Sequence, residues 1–144
     1  MDAFEFRERA LSGVDEQTET LAQGVIGALI EVHTYLKPGR PENAYKLALC
    51  HELSLRGIDF ECEYRFPIIY KGKTVGEGFI DVLVSRRLVL EMKAVDVLNE
   101  VHRAQVLGYL QALDLQLGLI VNFNVLQMRS GIKRVINTFK NLRV

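Results

Sequence analysis

Residues 79–95, Phe-Ile-Asp-Val-Leu-Val-Ser-Arg-Arg-Leu-Val-Leu-Glu-Met-Lys-Ala-Val, constrain this chain more than any other stretch. Two short apolar runs flank a polar Ser85-Arg86-Arg87 turn, the pattern of a β-hairpin with a three-residue loop. If Val84 pairs with Leu88, Asp81 lies directly opposite Glu91. Side chains alternate along a strand, so one face is expected to carry Phe79, Asp81 and Leu83 beside Val89, Glu91 and Lys93. The other face, with Ile80, Val82, Val84, Leu88, Leu90 and Met92, is wholly apolar. Both faces therefore belong in an interior, and the three charges on one of them need an explanation.

Two carboxylates facing each other across strands repel, and a charge in a mostly apolar sheet requires a partner or a bound ion. A divalent cation between Asp81 and Glu91 would remove the repulsion. Two carboxylates completed by waters and a backbone carbonyl suit Mg²⁺ or Mn²⁺. Lys93 points to the same side and would stabilise developing negative charge or orient a water. The competing explanation is an edge hairpin in which Lys93 simply pairs with both acids, since short Asp…Glu-x-Lys patterns also arise by chance.

Asp81 followed by Glu91-Met92-Lys93 after a short turn resembles the core of the PD-(D/E)XK nuclease superfamily, with Ile80 where that pattern has Pro. From about Leu21 to Asn137 the chain more narrowly resembles the GxxExxxR proteins, a branch of that superfamily. The resemblance rests on Ile30-Glu31-Val32-His33, Pro38-Gly39, Gly39-x-x-Glu42, residues 68–73, residues 89–94, His102-x-x-Gln105, residues 118–123 and residues 131–135, taken in order. Lys46 stands at the position of the Arg in the family's name, Lys37 where a Gly is usual, and Arg40-Pro41 where an apolar pair is usual.

The resemblance implies an α/β (mixed α+β) restriction-endonuclease-like fold and a metal-dependent nuclease. Asp81, Glu91, Glu42 and the Met92 backbone carbonyl would hold the metal. Lys93 and Gln105 would complete the catalytic set. Gln105-x-x-x-Tyr109 resembles a helix that lines the site in RecB-like exonucleases, so His102 and Tyr109 are expected to position substrate. Nucleic acid, DNA or RNA, is the implied partner.

The rest of the chain frames that hairpin. With 144 residues, a single domain over 1–144 is expected, residues 1–15 being a polar stretch suited to a flexible extension. Apolar spacing predicts a helix over 16–36, ended by Pro38-Gly39, with His33 packed or hydrogen-bonded near its end. A second helix is expected from Pro41 to Arg56, before Gly57, with Glu42 in its first turn. Strands are expected at 60–70 and from Thr74 onward around a Lys71-Gly72-Lys73 turn. Asn99 suits the N-cap of a helix ending near Leu113, whose His102, Gln105 and Tyr109 share a face. Gln105 is expected among apolar neighbours, where its amide needs partners. Residues 117–122 form a buried strand, and β-α-β order favours its parallel pairing with the Glu91 strand. Residues 132–135 add a further strand. The order is α-α-β-β-β-α-β around a mixed sheet.

No apolar run is long enough to span a membrane and no signal-peptide pattern is present. Cys50 and Cys62 suit neither a zinc site nor a disulfide framework and are expected as buried or incidental thiols in a reducing cytoplasm. Net charge is zero, yet residues 1–62 hold 11 acids and 6 bases and residues 63–144 hold 7 acids and 12 bases. The half with the acid pair is therefore basic, compatible with a phosphate-bearing substrate. A chain this small would need a second copy or a partner protein to hold a long duplex. Two further functions stay open from sequence: a nucleic-acid- or protein-binding module that keeps the nuclease fold without catalysis, and a purely structural ion-pair network.

Overall fold

The computed structural model describes residues 13–138. Two helices come first, α1 (Glu16–Leu36) and α2 (Glu42–Leu55), followed by strands β1 (Phe60–Tyr70), β2 (Lys73–Val84) and β3 (Leu88–Lys93). Helix α3 (Glu100–Leu113), strand β4 (Leu117–Asn122), a 3₁₀ turn (Met128–Gly131) and strand β5 (Ile132–Ile136) complete the order. The five strands form one mixed sheet in the order β1-β2-β3-β4-β5. All neighbours are antiparallel except β3 and β4, which run parallel through the α3 crossover as the β-α-β order requires.

Local chemistry sets the element boundaries. Asp15 caps α1 by accepting the Thr18 N–H at 2.7 Å. Lys37 closes that helix at φ 62°, and Gly39 at φ 99° turns the chain toward α2. Pro41 is the N-cap of α2 rather than its first helical residue, so the helix starts one residue later than expected. Asn99 caps α3 with its side-chain oxygen on the Val101 and His102 N–H groups. Most of the expected extension, residues 1–12, lies outside the described residues, as does most of the tail. The part that is described is docked: Val14 is buried, and the Asp15 N–H donates to Gln116.

The sheet separates two apolar layers. Helices α1 and α2 cover one face, where Val82, Val84, Leu88, Leu90 and Met92 pack with Leu29, Tyr45, Leu49 and Leu53. Helix α3 covers the other, where Ile80, Leu83, Val89 and Ile120 pack with Val106 and Leu110. Gly118 lets α3 approach, because a Cβ there would lie 2.6 Å from the Val106 side chain.

Two expectations are corrected. Ile80 does not share the face of Val82 and Val84; it belongs to the α3 layer together with Leu83. Strict alternation fails because the β1–β2 pairing skips Glu63 and Asp81, and Glu63 takes φ 54°. The phase of both strands changes across this unpaired step, with Phe60 and Val82 in one layer and Tyr64 and Ile80 in the other. Cys50 and Cys62 are not incidental thiols: the packing of α2 beside β1 joins them as a disulfide.

Candidate functional site

The hairpin register follows the sequence pattern. Val84 pairs with Leu88, Leu83 with Val89 and Val82 with Leu90. Ser85 and Arg86 take φ 50° and 54°, the left-handed conformation of primed hairpin turns, and the Arg87 N–H donates to the Val84 carbonyl at 2.9 Å. Continued by one step, the register places Asp81 opposite Glu91, but the backbone ladder stops there. The carboxylates take its place. Asp81 Oδ2 accepts the Met92 N–H at 2.9 Å, and Glu91 Oε1 accepts the Asp81 N–H at 3.3 Å.

Each acid thus commits one oxygen to a backbone donor and keeps the other. Asp81 Oδ1 has no hydrogen-bond partner among the described residues. Glu91 Oε2 meets only Lys93 Nζ, at 3.9 Å, too long for a direct hydrogen bond. Glu91 is 5% exposed, and its carboxyl is raised to about 7. Burial is the main cause and repulsion by Asp81 the next; the Asp81 N–H and Lys93 oppose the rise, and Glu42 adds to it.

A cleft of about 200 Å³ opens beside these acids, lined by Glu42, Asn43, Lys46, Asp81 and Met92. Glu42 arrives there because α2 begins beside the sheet. The preceding turn is pinned by Tyr45, whose hydroxyl donates to the Lys37 carbonyl and accepts the Arg40 N–H. The Tyr45 ring stacks on Phe123 at 4.2 Å, tying the start of α2 to the end of β4. A larger cleft of about 410 Å³, lined by Asp59, Phe60, Glu61, Leu83, Ser85 and Arg86, contains none of the expected site residues. Asp81 and Glu42 line the smaller one.

Helix α3 supplies the opposite side. The Tyr109 hydroxyl interacts with the Gln105 side chain and the Phe79 backbone, and its ring meets Phe66 edge-on at 5.5 Å. Burial raises its pKa first and the nearby Glu91 charge second, while the Gln105 hydrogen bond opposes the rise. Gln105 itself is exposed, contrary to the apolar surroundings expected of it, because only the Val106 and Leu110 stripe of α3 is fully buried against the sheet. His102 turns toward its own helix end, where Nδ1 accepts the Asn99 N–H at 3.3 Å and completes a capping box. His33 is buried and bonded through Nε2 to the Val125 carbonyl at 2.8 Å, the packed role expected of it.

Two contributors were given no role at the site from sequence. Lys46, four residues after Glu42 and so on the same helix face, lines the cleft and reaches Glu63 at 2.9 Å. Asn122, at the end of a fully apolar run, is 5% exposed and clamps the chain leaving Lys93. Its Oδ1 accepts the Val95 and Asn124 N–H groups, and its Nδ2 donates to the Val95 carbonyl at 2.8 Å. A lone amide closing a buried strand was the available signal.

Among the described residues no group of three or more His, Cys, Asp or Glu side chains stands ready to hold an ion. The convergent set is the Asp81 and Glu91 pair, each with one uncommitted oxygen, and the Met92 backbone beside them. Such a set fits Mg²⁺, which is held by one or two carboxylates and keeps several waters. No helix among the described residues is long and apolar enough to cross a membrane.

A family model described as the PD-(D/E)XK nuclease superfamily matches residues 19–135, well over half of the chain. No curated protein and no solved structure matches.

Proposed function

The chain belongs to the PD-(D/E)XK nuclease superfamily, and from that premise we propose that it is a divalent-metal-dependent nuclease hydrolysing phosphodiester bonds. The observation that carries this reading is the splayed end of the β2–β3 hairpin. There Asp81 borders a cleft, Glu91 faces it with Lys93 3.9 Å away, and the backbone holds one oxygen of each acid in place. The Gly39-x-x-Glu42-x-x-x-Lys46 spacing, with Glu42 and Lys46 both lining the cleft, supports assignment to the GxxExxxR branch.

Asp81, Glu91 and the Met92 carbonyl hold Mg²⁺ or Mn²⁺ in this reading, with Glu42 in reach for a further ligand or a bound water. The ion supplies Lewis-acid polarisation of the phosphate and a lowered pKa for water. Lys93 stabilises the negative charge that grows on the non-bridging phosphate oxygens. Gln105 orients Tyr109 beside the acids, and His102 keeps the start of α3 closed so that its exposed face meets substrate. Charge repulsion among Asp81, Glu91 and Glu42 gives the free site a reason to take up a cation.

The test is cleavage of a plasmid and of single-stranded oligonucleotides with Mg²⁺ or Mn²⁺, comparing wild type with Lys93→Ala. Loss of about 10²–10³-fold in rate, with the variant still folded, is the expected outcome. Equal cleavage by both proteins would assign the activity to a contaminant. The zero net charge, and the lack among the described residues of a group of three His, Cys, Asp or Glu side chains ready to hold an ion, favour as a second reading a non-catalytic nucleic-acid- or protein-binding module. Binding without cleavage in wild type would select it.

A further inference from the structure

Strands β1 and β2 are about twice as long as their neighbour β3, and β3 pairs with β2 only over residues 82–84. The remainder of the β1–β2 pair runs on as a two-stranded ribbon. The α3 layer supports it as far as Phe66, whose ring lies against Gly78 so closely that a Cβ there would clash at 2.1 Å. Beyond that point, from residue 67 to residue 77, every residue is exposed.

An unsupported two-stranded ribbon is marginal in water, and this one carries side chains that do not favour solvent. Ile68, Ile69, Tyr70 and Val75 are 44–61% exposed. The tip is a two-residue turn at Lys71 (φ 48°) and Gly72 (φ 82°), with Tyr70 paired to Lys73. Lys71 sits over the Tyr70 ring at 5.3 Å, and neither lysine has an ion-pair partner among the described residues. The ribbon's one carboxylate, Glu77, is matched by Arg65 at 2.8 Å. The distal end is therefore apolar, aromatic and cationic, with no acid between Arg65 and Glu77.

We propose that this ribbon is an arm that enters the major groove of duplex DNA beside the cleavage site, which deepens and rests on the nuclease reading. Charge selects the occupant: two unmatched lysines on an apolar tip suit a polyanion, whereas two copies meeting tip to tip would bring four cations together. Shape selects the form. A two-stranded ribbon fits the roughly 12 Å major groove of B-DNA, while the major groove of A-form RNA is too narrow for it. Lys73 stands eight residues along β2 from Asp81, about 26 Å at about 3.3 Å per residue. The tip thus reaches roughly eight base pairs from the phosphate at the acids, within one helical turn.

The test uses the full chain carrying Lys93→Ala, so that substrate survives, and measures fluorescence anisotropy on 8- and 24-base-pair DNA duplexes and on a 24-nucleotide single strand. Adding Lys71→Ala and Lys73→Ala should weaken binding to the long duplex on the order of tenfold and lower its salt slope by about two. The preference for long over short duplex should fall by the same factor, and single-strand affinity should stay within twofold. Unchanged affinity and slope on the long duplex would overturn the arm, as would a parent that binds neither duplex. An equal loss on the single strand would overturn the groove assignment. A parent dimer in sedimentation that Ile69→Asp dissociates, with DNA affinity intact, would make the ribbon a self-association surface instead. Metal-dependent cleavage by wild type is read separately, so loss of the arm leaves the nuclease reading standing.

Discussion

The two ends of β2 share one backbone but sit in different solvents. Residues 82–84 are buried, paired on both sides and packed between two helical layers. Residues 73–77 pair only with β1 and are exposed throughout. Asp81 lies between the two, at the break in strand phase and at the first position beyond the β2–β3 ladder. A reactive carboxylate needs both neighbours: a rigid side that fixes its backbone, and an open side that admits substrate. The comparison shows how one strand supplies both.

The largest effect expected from breaking this contrast lies in the buried half. Leu90, fully buried opposite Val82, should cost about 2–5 kcal/mol as Leu90→Ala, measured by urea unfolding. A loss below about 1 kcal/mol would mean that the sheet there is not the packed frame described.

The junction should show itself in pH. Glu91 is raised to about 7 in the folded protein, against 4.5 for an ordinary glutamate. A raised pKa means that the native state binds the proton more tightly than the unfolded chain. Stability is then full below about 4.5 and falls as pH rises to about 7, by at most about 3 kcal/mol. Without metal, Glu91→Gln should flatten that decline, as followed by thermal melting between pH 4.5 and 8. An unchanged slope would move the buried-carboxyl effect to another residue.

At the exposed end little should happen to stability. Val75 occupies the bulge where the β1–β2 register shifts and is 56% exposed. Val75→Ala should change unfolding free energy by no more than about 0.5 kcal/mol. A larger loss would show that the ribbon is packed against something in solution.

Much of the frame was legible because local chemistry and periodicity agree. Asp15 and Asn99 cap helices, Gly39 and Gly57 end or turn them, and the apolar runs of β3 and β4 are short enough to be strands and too uniform to be a surface. The hairpin register also followed from sequence, since the short Ser85-Arg86-Arg87 loop sets Val84 opposite Leu88. The acids could therefore be placed opposite each other from spacing alone.

Other features depended on contacts between segments far apart in sequence. The phase reversal at Asp81 lies across from the positive φ of Glu63 on the neighbouring strand, and no pattern around residue 81 encodes it. Gln105 could not be recognised as exposed until the stripe of α3 facing the sheet was known. Asn122 became a clamp only when β4 lay beside β3, and Cys50 met Cys62 only when α2 packed by β1. The sequence determined which residues are strand, helix and turn, and which charges share the hairpin, because these follow from neighbours along the chain. Tertiary structure decided how far each carboxylate is desolvated, which oxygen remains uncommitted, and where the sheet ends and the ribbon begins, because burial and splay are properties of packed surfaces.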